Sequence, residues 1–171
     1  MRASRPGGVL ANQVWIFLAL FPVAFFLVGA VDPSWVYGTP LNLEFSGQDA
    51  FQIAAIFLWA VGAALAFWTV RTLGRFMVIE IEVRSDHELV TTGPYARVRH
   101  PAYTAFLIMD GAAFLLFFNV VLIATFAARL AIATLRARGE EELLRSEAGF
   151  GDRYGDYMVR TGRFLPRLRK P

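Results

Sequence analysis

The stretch 91–103, TTGPYARVRHPAY, lies between two long apolar segments. It brings Arg97, Arg99 and His100 together with Pro94 and Pro101. Each proline removes a backbone N–H and crowds the turn before it, so a helix cannot run through the stretch. The cations keep it out of hydrocarbon, where irregular backbone is not tolerated against lipid. The segment is therefore predicted to be irregular, polar and close to a membrane face. That is a poor design for a simple span and a suitable one for a site.

The composition supports a membrane setting. The chain has 171 residues, 56% of them hydrophobic, with 16 Phe, 4 Trp and 5 Tyr, and a mean hydropathy of +0.46. These values lie outside soluble norms and predict a single membrane domain over 1–171. Cysteine is absent, which excludes disulfides, a thiolate nucleophile and a cysteine metal site. With only two histidines, no metal is expected. The net charge is +3, but the basic residues are not interleaved with exposed aromatics as nucleic-acid binding would require. The cations are assigned to phospholipid headgroups instead. Arg2 and Arg5 precede an apolar run, but Val14 to Val31 is too long for a signal-peptide core and no small-residue cleavage pattern follows. A retained first span is expected.

A bilayer core of ~30 Å takes about 20 apolar residues in a helix. Ala50 to Val70, Ala102 to Phe118 and Val120 to Leu135 approach that length, giving four spans with the first. Only Asn119 separates the last two. As one helix they would overshoot the bilayer by roughly 20 Å, so a tight hairpin is predicted. Basic residues precede span one, lie between spans two and three, and follow span four, whereas 32–49 has none. The positive-inside rule puts both termini and the 71–101 segment in the cytoplasm of a bacterial-type inner membrane. Residues 14–70 then form the lipid or substrate side and 71–171 the functional core. Phe17, Phe21, Phe25, Phe26, Phe57 and Phe67 either face lipid or line a lipid tunnel.

Three further expectations follow. Asp110 and Arg129 lie nine residues before and ten after Asn119, so the hairpin brings both to ~14 Å from its turn, as a pair near the midplane. The alternation over 77–84 suits a short strand on the membrane surface. After Leu135 an interfacial helix, a break near Gly149 and Gly151, and a last helix ending before Pro166 are expected. The fold class is thus all-α integral membrane, with a cytoplasmic helical C-terminal region.

The hairpin brings the near ends of two cytoplasmic segments together. One offers His87 to Tyr103; the other offers Glu140, Glu141 and Glu142 with Tyr154 and Tyr157. Arginine can clamp a carboxylate, glutamate can accept from an amine or ribose hydroxyls, and tyrosine can stack. Residue types alone leave the glutamates equally readable as a solvated helix face pairing with Arg136, Arg138 and Arg145.

HELVTTGPYARVRHPAY, the apolar hairpin, EEE, FGDRYGDY and the terminal FLPRL together resemble the isoprenylcysteine carboxyl methyltransferase family, within the wider set of integral membrane methyltransferases that includes phospholipid N-methyltransferases. The resemblance covers about Arg71 to Leu168. It implies that S-adenosylmethionine is held by His87, Leu89, Val90, Tyr95, His100, Pro101 and Tyr103, with Glu141 completing the pocket and Glu140 or Glu142 as alternatives. The family arginine one turn before that glutamate falls on Ala137 here, so Arg136 or Arg138 would substitute. Ala105 stands where many relatives have glycine. The resemblance further implies Arg99, Arg136 and Glu141 as catalytic residues and a lipophilic acceptor arriving from the bilayer. An isoprenylated cysteine, an ethanolamine lipid and a small hydrophobic thiol or amine all fit. A sterol-reductase-like enzyme using NADPH is the alternative of another class.

Overall fold

The structure is a computed structural model and describes residues 3–4, 8–74, 82–83 and 88–167. The helices are α1 (Gly8–Val31), α2 (Ser34–Tyr37), α3 (Gln48–Leu73), α4 (Pro101–Phe117), α5 (Val120–Arg145) and α6 (Asp152–Arg160), with a 3₁₀ turn at Gly93–Ala96. Strands β1 (Ala3–Ser4) and β2 (Glu82–Val83) pair antiparallel, Ala3 opposite Val83. The remainder of the alternating 77–84 stretch lies outside the described residues, as does His87.

Among the described residues, α3 and α5 are long and apolar enough to cross a bilayer, and α4 is a shorter apolar helix of 17 residues. Much of α3 presents large apolar side chains outward, including Phe57, Trp59 and Phe67. Its buried residues Ala55, Gly62 and Thr69 recur every seven positions and form one small-residue stripe. A Cβ at Gly62 would come within 2.7 Å of Met109 Cγ and 3.1 Å of the Ala105 carbonyl oxygen. Lipid removes the hydrophobic drive for helix association, so close contact of this kind must supply the adhesion. Although Ala105 occupies a position expected to favour glycine, the clearance there comes from Gly62 on the facing helix.

At the other end of α4, Phe118 adopts the left-handed conformation (φ 45°, ψ 43°) and Asn119 caps α5 by accepting from the Val121 N–H at 2.9 Å. The chain before α3 braces this turn: the Leu43 N–H donates to Phe118 O at 2.8 Å and the Val120 N–H to Leu41 O at 2.9 Å. Val36, Phe117 and Leu122 form a small core here, with Phe25 packed on Phe117. Phe26, Phe57 and Phe67 are exposed; the side chains of Phe17 and Phe21 are outside the described set. Between α4 and α5, Arg129 Nη1 donates to Asp110 Oδ1 at 2.9 Å, with both residues buried.

One boundary differs from the sequence reading. The expected interfacial helix after Leu135 is a continuation of α5, which runs unbroken to Arg145. Residues such as Arg136, Ala137, Glu140 and Glu141 are good helix formers, so polarity changes at Leu135 while the backbone does not. The break then falls at Ser146–Gly151, and α6 ends at Arg160, short of Pro166.

Candidate active site at the foot of α4

α4 begins at Pro101, where the missing N–H has no cost because first-turn donors lack helical partners. The chain before it, Arg97–His100, runs beside the C-terminal segment that follows α6. Gly162 N–H donates to Arg97 O at 3.1 Å, Arg99 N–H to Gly162 O at 2.8 Å, and His100 N–H to Arg163 O at 3.1 Å. A Cβ at Gly162 would lie 1.7 Å from the Leu165 carbonyl oxygen, so only glycine allows this strap to lie as it does. Tyr157 fastens α6 to the same region by donating to Tyr95 O at 2.7 Å.

This arrangement gathers the polar side chains around Glu141, which is buried near the end of α5. Its carboxylate accepts from Arg99 Nε at 2.8 Å and from Arg163 Nη2 at 2.6 Å, and lies 3.2 Å from His100 Nε2. The other ring nitrogen, His100 Nδ1, lies 3.3 Å from Glu140 Oε2. Both imidazole nitrogens thus face carboxylate oxygens, a geometry that favours the doubly protonated ring. Burial opposes that charge, but the hydrogen bonds and charges of Glu140 and Glu141 outweigh it and raise the His100 pKa. For Glu141 burial again opposes the charge. The hydrogen bonds from His100, Arg163 and Arg99 prevail and hold its carboxyl well below the usual carboxylate range.

Tyr103 donates to Glu140 and receives a hydrogen bond from Arg136 Nε at 3.1 Å. Burial raises the pKa of Tyr95 and Tyr154 and keeps their hydroxyls neutral. Within this set Arg99, Arg136 and Arg163, together with His100, face Glu140 and Glu141, so positive charge is in excess. Arg99 is further held by the carbonyls of Met158 and Thr161.

The alternatives left by the sequence take definite places. Arg136 is buried in the cluster whereas Arg138 is exposed; Glu140 and Glu141 point into it whereas Glu142 is exposed. Tyr154 and Tyr157 are buried. Leu89 and Val90 lie in the segment that leads into the 3₁₀ turn. They line an open cavity of about 420 Å³ between Thr72–Gly74 and Glu88–Thr92, within the range of ~300–1,000 Å³ for small-molecule sites. The turn beside it contains Gly93 at φ +58°, where a Cβ would meet Thr72 Oγ1 at 2.8 Å. The residue types present are those a zwitterionic nucleoside calls for: a cavity lined by leucine, valine and threonines, a bare glycine turn, and the carboxylates and cations gathered at Glu141. Sequence reasoning missed Arg163. It adjoins the FLPRL motif, but its partner is set by strap pairing, which has no sequence period.

Comparison with known proteins places these features in context. The family model for the isoprenylcysteine carboxyl methyltransferase (ICMT) family matches residues 54–146. The solved structure of the eukaryotic intramembrane Ras methyltransferase ICMT is similar in fold, with a TM-score of 0.63 at 24% identity over 90% of this chain. The chain spans 52% of the length of that protein. No curated protein matches.

Proposed function

The chain belongs to the isoprenylcysteine carboxyl methyltransferase family, and on that footing we propose that it is an integral membrane enzyme that transfers a methyl group from S-adenosylmethionine to the carboxylate of a lipophilic acceptor, most like an isoprenylated cysteine. In this reading α1, α3, α4 and α5 cross the bilayer, both termini and the site face the cytoplasm, and the acceptor arrives sideways from the lipid. Leu89, Val90 and the Gly93 turn would receive the nucleoside; Tyr95, His100, Tyr103, Glu140 and Glu141 would receive the amino-acid end. The sulfonium of the bound cofactor supplies an already activated methyl group.

The protein's remaining tasks are alignment and exclusion of water. The observation that carries the choice of a carboxylate is the cationic excess around Glu141. An anionic acceptor offsets that excess and is a nucleophile without losing a proton. Arg136, buried beside Tyr103, would orient it, and Arg99, which donates to Glu141, would keep that carboxylate in position. An ammonium acceptor would need a base, and the candidates are poorly suited: Arg99, His100 and Arg163 hold the Glu141 carboxyl well below the usual carboxylate range, which makes it a weak base, and both ring nitrogens of His100 already face carboxylates.

Calorimetry on detergent-purified protein tests the cofactor. S-adenosylmethionine and S-adenosylhomocysteine are expected to bind, NADPH is not, and a Tyr103→Ala, Glu141→Gln double variant is expected to lose both ligands. NADPH binding alone would favour the reductase-like reading and overturn this one.

A further inference from the structure

The strap that follows α6 has two sides. Inward, Arg163 holds Glu141 and the Phe164 ring lies 6.1 Å from that of His100 and 6.4 Å from that of Tyr103. Outward, Leu165 is 76% exposed and Val159, at the end of α6, is 56% exposed. Arg160 and Arg167 are exposed beside them, and Arg167 Nη1 donates to Val159 O, which keeps its guanidinium at this patch. Thr104 fixes the depth of the strap by donating from Oγ1 to Phe164 O at 2.8 Å. Thr104 belongs to the first turn of α4, inside the apolar segment that begins at Ala102. A leucine next to Phe164, exposed at that depth, meets the acyl boundary of the bilayer; arginines around it meet the phosphates. From Arg163 to the end, the sequence carries Arg163, Arg167, Arg169 and Lys170 and no acidic residue, which suits an anionic surface.

We infer that the Arg163–Arg167 strap is an interfacial anchor for anionic phospholipid, with Leu165 inserted beside the foot of α4 and Arg160 and Arg167 on headgroup phosphates. Arg163 and Phe164 belong to the same short strap as Leu165 and Arg167, so lipid that holds Leu165 and Arg167 also steadies Arg163 on Glu141. The anchor requires α4 to enter the bilayer at its N-terminal end; it does not depend on the reaction the site performs.

The absence of cysteine allows a clean test. Leu165→Cys and, as a reference on an exposed site, Glu147→Cys are labelled with an environment-sensitive fluorophore. Each is placed in nanodiscs of phosphatidylcholine alone or with added phosphatidylglycerol. At position 165, several-fold weaker quenching by aqueous iodide than at 147 is expected, together with quenching by lipids spin-labelled near the headgroup. Phosphatidylglycerol should increase the lipid quenching, and Arg160→Gln with Arg167→Gln should abolish that increase. Iodide quenching equal at the two positions would overturn the anchor. So would protection from iodide without lipid quenching, which would mean that a second copy covers Leu165. Lipid quenching indifferent to phosphatidylglycerol would overturn the assignment of anionic headgroups.

Discussion

Replacing Glu141 by glutamine perturbs the group on which the site converges. The change keeps the side chain's size but removes the charge that Arg99, His100 and Arg163 share. Arg99 and His100 are each 7% exposed at the side chain, so the charge left behind is buried. Removing one partner of a buried ion pair costs about 3–5 kcal/mol. Arg163 is 30% exposed, and its share falls in the range of ~0–1 kcal/mol of a surface pair. Glu141→Gln should therefore lower the thermal midpoint by roughly 6–20 °C, at 2–4 °C per kcal/mol for a chain of this size. Arg163→Gln should lower it by only a few degrees. Both are read by tryptophan fluorescence and circular dichroism during heating in one detergent. If Glu141→Gln melts with Arg163→Gln, to within a degree or two, the convergence of buried charge on Glu141 is refuted.

The raised His100 pKa sets a sign for the pH dependence. The imidazolium is favoured in the fold, so its stabilising contribution is complete below the ordinary value of 6.5 and is lost as pH rises through the higher native pKa. Wild-type melting should fall as pH rises above 6.5, and His100→Gln should flatten that fall; a wild-type midpoint that rises with pH there would contradict the assignment. A double-mutant cycle on Asp110→Asn and Arg129→Gln, followed by thermal unfolding, should show strong coupling across the 2.9 Å contact. Additive effects would remove the pair as a determinant of helix register.

The sequence made the apolar helices legible because length and hydropathy are properties of a segment. α3 and α4 extend at most three residues beyond or short of the expected limits, and the Asn119 boundary is where the structure places a cap. The continuity of α5 past Leu135 was hidden because a change from apolar to charged residues marks the membrane boundary, whereas backbone conformation follows propensity and packing. α2 was also missed, since four residues offer no period. In the site, Glu140, Glu141 and Arg136 could be proposed by position, but selecting them over Glu142 and Arg138 required knowing which face of α5 meets His100 and Tyr103. Arg163 depends on the strap's register against Arg97–His100, a contact about sixty residues apart in the chain.

The most direct measurement supplies protein in nanodiscs with methyl-labelled S-adenosylmethionine and S-farnesylated N-acetylcysteine, then treats the extracted product with base. A carboxyl methyl ester is expected, releasing its label as volatile methanol, with the rate falling when Arg136 is changed to glutamine. Label that stays on the product through base treatment, or no transfer from a cofactor that demonstrably binds, would contradict methylation of a prenylated carboxylate.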